Sequence, residues 1–343
     1  MKKRTTVLGA GSWGTVLAAV LAENGHAVTL WARSHRIAEE INQNRTNQRY
    51  LQDTKLPDGI QATTDITKAL DGAQLVLMVV PSQAVRETAE KAAPHIPADA
   101  LLVHASKGFE RSTLKRISEV LEEECHHHRG RVAVLSGPSH AEEVIRRSPT
   151  TVVVASKDER TAKAVQSFLN NQSFRVYTHS DVIGVEVGGS LKNIIALGAG
   201  LSDGLGFGDN AKAALITRGL AEMARLGMAM GAEPITFAGL SGVGDLVVTC
   251  TSRHSRNWRA GNLLSQGHTL QQVLDQMGMV VEGVKTTQAA YDLSNRYGVE
   301  MPITNQLYAV LFQDKDPRQA VEDLMARGET DEWNDMVQKS PLP

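Results

Sequence analysis

Cysteine is scarce in this chain of 343 residues, which contains two, Cys125 and Cys250. Two thiols provide no disulfide framework, and reduced cysteines in a cytoplasmic protein are the simpler interpretation. We expect Cys250 to be a small buried residue and not a nucleophile, because no histidine accompanies it in a matching motif.

The chain also lacks an excess of charge of one sign. It has 36 Lys and Arg residues against 38 Asp and Glu residues, a formal net charge of -2. A broad basic surface for nucleic acid needs many clustered cations, so we expect no nucleic-acid partner. A local anion site is compatible with this charge.

Long apolar runs are missing as well. A membrane span needs about 20 apolar residues, and the run at residues 75–80 is far shorter, so we expect no membrane span. The N-terminus has the charged and apolar regions of a secretory signal peptide, but Gly9, Gly11, Ser12 and Gly14 interrupt its apolar part. A strand, a glycine turn and a helix account for all of these residues, and we favour that interpretation.

Short apolar runs alternate with helical patterns through the first half of the chain. We predict buried strands at residues 5–8, 28–31, 75–80, 101–104, 132–135, 152–155 and 173–177. Segments between them, such as residues 16–21 and 114–121, have apolar residues at helical spacing. This alternation predicts an α/β fold, a parallel, doubly wound sheet with helices on both faces.

After about residue 180 the pattern changes to long segments rich in Ala, Leu, Met and Gly. We predict helices at residues 211–230, 270–277, 282–297 and 320–327. A chain of 343 residues exceeds the usual size of a single core. We therefore predict a doubly wound domain at residues 1–180, a mainly α-helical domain at residues 181–330 and a polar tail at residues 331–343.

A glycine motif follows the first predicted strand and opens a predicted helix, in the sequence Gly9-Ala10-Gly11-Ser12-Trp13-Gly14. In such a motif Gly9 permits the tight turn, Gly11 lets the backbone approach a pyrophosphate, and Gly14 allows close packing of helix on strand. The motif predicts a Rossmann-type NAD(P)-binding domain, with cofactor contacts from these glycines, Ser12 and Trp13. The alternative is a glycine turn that binds nothing.

The end of the second predicted strand indicates which nicotinamide cofactor is preferred. Enzymes that use NAD usually have an acid about 20 residues past the glycine motif. Here Arg33 stands near that distance from Gly14, and no acid occurs until Glu39. Since an arginine binds a 2′-phosphate that a carboxylate would repel, we expect NADP(H) to be accepted and preferred over NAD(H). The alternative is that Arg33 is a solvated surface charge.

The segment Gly-Ser-Leu-Lys-Asn-Ile-Ile-Ala-Leu-Gly-Ala-Gly at residues 189–200 is similar to the signature of one family. The chain resembles the bacterial-type NAD(P)-dependent glycerol-3-phosphate dehydrogenases over nearly its full length. Supporting blocks are at residues 106–108, 136–141, 204–218, 244–246, 255–257 and 281–283. Many members have Ala where this chain has Ser190. The resemblance implies reversible reduction of dihydroxyacetone phosphate to sn-glycerol 3-phosphate, which supplies phospholipid synthesis.

Lys192 is the candidate proton donor. Reduction of a ketone creates an alkoxide that needs a proton, and a lysine supplies it if burial or a neighbouring cation lowers the lysine pKa. Gly188, Ala196 and Ala199 give this helix a small-residue face, which we expect to approach a flat nicotinamide. The alternative is a lysine that reaches water from a core helix. The resemblance implies that Lys192 donates and accepts the proton.

Four further residues are candidates for the catalytic site. Lys107 follows a predicted strand and should emerge at the edge of the sheet where ligands bind. The resemblance implies that Lys107 contacts substrate and cofactor, that Asn193 acts beside Lys192, and that Asp245 contacts the substrate and orients the lysine. Thr249 lies on the face of Asp245 if a helix starts there. Helix capping is an alternative explanation of Asp245.

Phosphate recognition is predicted at Ser255, Arg256 and Asn257. Arginine offers a planar fork for two phosphate oxygens, and Ser and Asn add short neutral donors; the alternative is a polar surface loop. The resemblance implies substrate contacts from Gly137 and Ser139. It also implies cofactor contacts from Lys107, Ala141, Arg256, Val280 and Glu282.

Three consecutive histidines, residues 126–128, suggest a metal site, but neighbouring side chains point in different directions. We expect a solvated helix end and no metal. Two other functions stay open: a β-hydroxyacid dehydrogenase of the phosphogluconate or hydroxyisobutyrate type, and a non-catalytic NADP(H) sensor. The family also suggests a cytoplasmic homodimer.

Overall fold

The computed structural model describes residues 3–278, 280–329 and 332. The chain forms two compact units. The first comprises the residues up to Lys107 and Lys115–Val182, and the second comprises Gly108–Leu114 and the residues from Ile183 onward. Residues 108–114, which the sequence pattern placed in the first domain, thus belong to the second unit. The tail predicted at residues 331–343 lies outside the described residues except for Glu332.

The first unit is built on one eight-stranded sheet with the order β3-β2-β1-β4-β5-β6-β7-β8. The strands are β1 (Arg4–Leu8), β2 (Ala27–Trp31), β3 (Ile60–Thr63), β4 (Leu75–Met78), β5 (Leu101–His104), β6 (Ala133–Ser136), β7 (Thr150–Ser156) and β8 (Phe174–His179). The predicted doubly wound fold is confirmed, although β3, a short edge strand with the mixed sequence Ile-Gln-Ala-Thr, was not predicted.

One pair of strands corrects the prediction of a parallel sheet. Every neighbouring pair is parallel except β6 and β7, which are antiparallel. A parallel crossover usually contains a full helix. The connection between these two strands, residues 137–149, contains only a four-residue helix, so β7 returns in the opposite direction.

Helices cover both faces of the sheet. They are α1 (Ser12–Glu23), α2 (His35–Asn44), α3 (Ile66–Leu70), α4 (Val85–Ala92), α5 (Ile117–Glu124), α6 (Ala141–Val144) and α7 (Glu159–Leu169). Alternate residues of a strand point to opposite faces. Leu75 and Leu77 of β4 accordingly join one apolar core, and Val76 and Met78 join the other.

The second unit is helical. Its helices are α8 (Val182–Gly204), α9 (Gly208–Ala229), α10 (Asp245–Thr251), α11 (Arg256–Ser265), α12 (Leu270–Met277), α13 (Glu282–Tyr297), α14 (Pro302–Phe312) and α15 (Pro317–Met325). By length and composition α8 would suffice to cross a membrane, contrary to the expectation that no apolar run is long enough. However, 94% of its apolar window is buried inside the structure, as expected of the central helix of a core.

Candidate active site

The glycine turn between β1 and α1 has the shape that close approach of a ligand requires. Gly9 has φ +121°, and a Cβ there would overlap the Val79 carbonyl. A Cβ on Gly14 would overlap the Gly9 carbonyl, so Gly14 lets α1 begin against the turn. Nothing described lies within 4 Å of a Cβ added to Gly11. The missing side chain at Gly11 therefore leaves open space, which fits the backbone approach of a pyrophosphate.

The N-terminus of α1 is suited to an anion. Gly11 is its N-cap residue, no side chain caps it, and its first turn contains no acid. Ser12 and Trp13 are partly exposed there. Amides at a helix N-terminus bind phosphate through hydrogen bonds and the positive end of the helix dipole. These residues fit the pyrophosphate of a dinucleotide.

Other predicted residues of the first unit follow the strands that run parallel from β2 to β6. Gly9 follows β1, Arg33 follows β2, Lys107 lies three positions beyond the end of β5, and Gly137 follows β6. Parallel strands end at the same edge of a sheet, where ligands of open α/β sheets bind. The fold thus brings these four residues to the edge that the sequence analysis expected for Lys107.

The turn after β6 presents mainly backbone. Gly137 has φ +130°, and a Cβ there would lie 3.0 Å from Val152 Cα. Ser139 donates from its hydroxyl to the Gly137 carbonyl over 2.9 Å. Ala141 is the first residue of α6 and is buried. This compact turn is compatible with a lining role, which stays a prediction.

Arg33 is exposed, and no carboxylate follows β2 directly. The chain continues from Arg33 through Ser34, the N-cap of α2, and Glu39 is exposed on that helix. The pKa of the exposed Glu87 is lowered mainly by its bond to Lys91 and to a smaller degree by Arg33. Arg33 therefore presents a positive charge just after β2, as a 2′-phosphate would require.

Lys192 lies on α8 and is buried, with 5% of its surface exposed. Its ammonium donates to Asp245 Oδ1, and to Thr249 Oγ1 over 2.7 Å. The Thr249 hydroxyl donates in turn to the Asp245 carbonyl over 2.6 Å. Lys192, Asp245 and Thr249, which were predicted as separate candidates, thus form one buried polar cluster. This cluster fixes the position of the Lys192 ammonium.

Asp245 is the first residue of α10 and not its N-cap, which is Gly244. Its carboxylate accepts the hydrogen bond from the Lys192 ammonium, so capping does not explain this residue.

The face of α8 that carries Gly188 also differs from the prediction. A Cβ on Gly188 would lie 2.6 Å from the Ser241 carbonyl oxygen. The expectation that Gly188 faces the nicotinamide was wrong, because this glycine lets α8 pack against the turn before Asp245.

Asn193, next to Lys192, belongs to a second buried chain of hydrogen bonds. Asn257 Nδ2 donates to Asn193 Oδ1 over 2.8 Å, and the Gly283 amide donates to Asn257 Oδ1 over 2.9 Å. A Cβ on Gly283 would lie 2.6 Å from the Asn193 carbonyl oxygen. These contacts join α8, α11 and the start of α13, where Glu282 is the first helical residue.

The N-terminus of α11 carries the predicted phosphate-binding residues. Ser255 is its N-cap, and the Ser255 hydroxyl accepts from the Trp258 amide over 3.2 Å. Arg256 is exposed and donates to the Val280 carbonyl over 3.2 Å. Asn257 is buried, and its side chain makes the hydrogen bonds to Asn193 and to the Gly283 amide described above. An exposed arginine at a helix N-terminus is well suited to bind a phosphate.

Ser190 and Asn47 make contacts beside the candidate residues that the sequence analysis did not predict. The Ser190 hydroxyl accepts from the Gly108 amide over 2.8 Å and donates to the Glu186 carbonyl over 2.7 Å. Asn47 donates to the Ala10 carbonyl of the glycine turn over 3.0 Å. The presence of Ser190 where many family members have Ala was a sequence signal for the contacts of the Ser190 hydroxyl. No local pattern pointed to Asn47, because its partner is 37 positions away.

The two cysteines and the three consecutive histidines show no sign of a catalytic or metal-binding role among the described residues. Burial raises the pKa of the Cys250 thiol to about 12 and that of Cys125 to about 11, so neither thiol is poised as a nucleophile. Residues 126–128 form one short 3₁₀ turn in which His128 is buried. Among the described residues, no group of three or more His, Cys, Asp or Glu is arranged to hold a metal ion.

The sheet and glycine turn of the first unit are those of a nicotinamide-dependent oxidoreductase, and the buried Lys192–Asp245 pair of the second unit is compatible with this class. Comparison with known proteins is more specific. The family models described as the N-terminus and the C-terminus of NAD-dependent glycerol-3-phosphate dehydrogenase match residues 4–162 and 181–322. The chain belongs to this family, as the sequence motifs predicted.

Individual relatives agree with the family models. A glycerol-3-phosphate dehydrogenase [NAD(P)+] of Geobacillus thermodenitrificans is 59% identical, with 97% of each chain covered. One from Bacillus subtilis is 57% identical, covering 98% of this chain and 97% of its own. The crystal structure of glycerol-3-phosphate dehydrogenase from Coxiella burnetii is 41% identical, with a TM-score of 0.90 and coverage of 95% and 99%. These findings do not favour the β-hydroxyacid dehydrogenase or the sensor.

Proposed function

We propose that this chain reduces dihydroxyacetone phosphate to sn-glycerol 3-phosphate, reversibly, with Lys192 as the proton donor and acceptor. The single observation that carries the proposal is the buried contact of Lys192 with Asp245 and Thr249. A buried ammonium in a dehydrogenase fold, held in place by a carboxylate, is the group that a developing alkoxide needs.

The reaction balances with these residues. A reduced nicotinamide cofactor, when bound, would supply the hydride for the carbonyl carbon, and the carbonyl oxygen would take the electron pair of the broken π bond. Lys192 then transfers a proton from Nζ to that oxygen and is reprotonated from solvent. Asp245 and Thr249 hold Nζ in position throughout, so the proton donor needs no reorganisation during the transfer. In the reverse direction, neutral Lys192 takes the proton from the alcohol.

Asn193 contributes through its position. Its side chain is tied to Asn257, and Asn257 is tied to the Gly283 amide. This chain of bonds links Lys192, its neighbour in sequence, to the N-terminus of α11. Asn193 thereby helps to set the distance between the proton donor and the residues that would hold the phosphate.

For the substrate phosphate we propose Arg256 as the principal partner. Its guanidinium is exposed at the start of α11, where backbone amides also favour an anion. Ser255 caps the helix and Asn257 is bonded to Asn193, so these two mainly shape the site. Substrate contacts from Lys107, Gly137 and Ser139 are further parts of this proposal, supported by the family resemblance.

For the cofactor we propose NADP(H) first and NAD(H) second. The open space at Gly11 and the uncapped start of α1 support binding of the pyrophosphate. The exposed Arg33 supports recognition of a 2′-phosphate. Contacts from Ser12, Trp13, Lys107, Ala141, Arg256, Val280 and Glu282 complete the proposed cofactor set.

We further propose that the protein is a cytoplasmic homodimer that supplies glycerol phosphate for phospholipid synthesis. The family resemblance supports this role. Light scattering of the purified protein measures its mass in solution, and a monomer mass at assay concentration would overturn the dimer.

The test of the function is the consumption of NADPH with dihydroxyacetone phosphate, compared with dihydroxyacetone and with carboxylate analogues. We expect turnover with the phosphate ester and little with the others. A preference for a carboxylate would overturn the proposed substrate. Lys192→Gln should abolish turnover, whereas the control Lys315→Gln should retain it, because Lys315 pairs with Asp323 and Gln306 outside the proposed site.

A further inference from the structure

Asn47 joins the two sides of the glycine turn in the first unit. It is fully buried, and its amide Nδ2 donates to the Ala10 carbonyl over 3.0 Å and to Thr15 Oγ1 over 2.9 Å. The Asn47 carbonyl accepts from the amides of Tyr50 and Leu51 over 3.0 and 2.8 Å. Asn47 is therefore held by its own local turn while it holds Ala10 and Thr15.

The Ala10 contact determines where the next amide points. A trans peptide is planar, and its C=O and N–H groups point in opposite directions. Because the structure has no cis peptide bond among its described residues, the Gly11 N–H points away from Asn47. Gly11 has no Cβ and open space around it, so without an anchor this peptide could turn over at small steric cost.

Stability alone does not account for an asparagine at this position. Among the described residues, nothing donates to Asn47 Oδ1, although that oxygen is buried. An unpaired buried acceptor is destabilising. What Asn47 provides in return is its amide group, which donates to Ala10 in the glycine turn and to Thr15 in the first turn of α1.

We propose that Asn47 is a positioning residue for the dinucleotide. By holding the Ala10 carbonyl it directs the Gly11 N–H, together with the first amides of α1, towards the pyrophosphate. Its contact with Thr15 fixes that turn to the first turn of the helix. This inference rests on the proposed cofactor role of the glycine turn.

The test measures NADPH dissociation constants for Asn47→Leu and Asn47→Asp. Leucine has a similar shape and no donors, and we expect the constant to rise about 10-fold. Aspartate also places negative charge near the pyrophosphate, and we expect a rise of about 100-fold. With NADPH saturating, the KM for dihydroxyacetone phosphate should stay unchanged, because the substrate is held elsewhere.

Asn42 provides the matched control. It lies on α2, and its side chain pairs with both backbone groups of Ala62 in β3, over 2.9 and 2.8 Å. Asn42→Leu and Asn42→Asp remove comparable bonds in the same unit without touching the glycine turn. We expect their NADPH constants to stay within about twofold of the wild type. Equal losses from the Asn42 and Asn47 variants would reduce Asn47 to a structural residue and overturn the inference.

A second measurement does not depend on the folding of any variant. In the wild type, addition of NADPH should shift the NMR resonance of the Gly11 amide proton strongly. An unshifted Gly11 amide at saturating NADPH would overturn the inference while leaving the proposed function standing. A wild-type protein that neither binds NADPH nor reduces the ketone would instead overturn the proposed function.

Discussion

Lys192 and Asp245 are 53 positions apart in the sequence and form a buried ion pair, with 5% and 1% of their surfaces exposed. Removing one partner of a buried pair leaves an uncompensated charge, which costs about 3–5 kcal/mol. Because desolvation of the two charges offsets much of their attraction, the pair is weak evidence of stability, and the proposed function gives it a chemical role in holding the Lys192 ammonium at a fixed point.

Replacing Arg33 with Asp should weaken NADPH binding far more than NADH binding. The change replaces a partner of the 2′-phosphate with a charge of the same sign as that phosphate. Dissociation constants for both cofactors check this, with the exposed Arg160→Asp on α7 as control. An equal loss for both cofactors would remove Arg33 from the recognition of the 2′-phosphate.

Arg256→Lys should mainly raise the KM for dihydroxyacetone phosphate, because a point charge replaces a bidentate fork. We expect a rise on the order of 10-fold or more. Arg259→Lys, an exposed position on the same helix, is the control and should behave as the wild type. A loss confined to NADPH binding would move Arg256 out of the phosphate site.

Ser190→Ala should lower stability by about 1–3 kcal/mol, because the buried Gly108 amide loses its acceptor. The planar peptide that contains this amide also contains the Lys107 carbonyl, so kcat/KM should fall as the backbone at Lys107 loosens. Ser294→Ala on α13 is the control, because the bond of the Ser294 hydroxyl among the described residues is to the Tyr291 carbonyl in the same helix. Equal stability losses from both substitutions would mean that the Gly108 contact contributes nothing.

Glu222 should make the stability of the protein depend on pH. Burial raises its pKa from 4.5 to about 7, against the opposing bonds from the Ile303 and Thr304 amides. A carboxyl whose folded pKa is raised stabilises the fold below its unfolded pKa, and this contribution is lost as pH rises through the folded pKa. Glu222 should thus remove roughly 3 kcal/mol between about pH 4.5 and pH 7.

The measurement is the free energy of unfolding against pH for the wild type and Glu222→Gln. Burial lowers the pKa values of His26 and His128, which act in the opposite sense, so the difference between the two proteins is the informative quantity. That difference should change across this window. A constant difference would show that Glu222 does not titrate there.

The parts of the fold that local signals specify were predictable from the sequence. The predicted helix at residues 282–297 has the bounds of α13, whose C-cap residue is Gly298 with φ +64°. Glycine after the last turn is such a signal. The glycine motif likewise spans the turn from β1 into α1, where Gly9 and Gly14 answer local steric demands.

Features that depend on distant partners were not predictable in the same way. The antiparallel β7 follows a connection that contains only a four-residue helix, and Gly188 faces Ser241, 53 residues away in the chain. In the sequence Asn47 has no feature that distinguishes it from other loop residues. Its contacts with Ala10 and Thr15 form only in the folded chain. Such contacts are set by packing, which periodicity does not encode.

The central claim is that Lys192 carries the proton, and the turnover of Lys192→Arg tests it most directly. Arginine keeps the positive charge beside Asp245 but does not release a proton near neutral pH. We predict a kcat lower by on the order of 10²- to 10⁴-fold, with NADPH affinity little changed. If the arginine variant kept most of its turnover and an unchanged pH profile, Lys192 would be only an electrostatic anchor, and Lys107 would be the next candidate for the general acid.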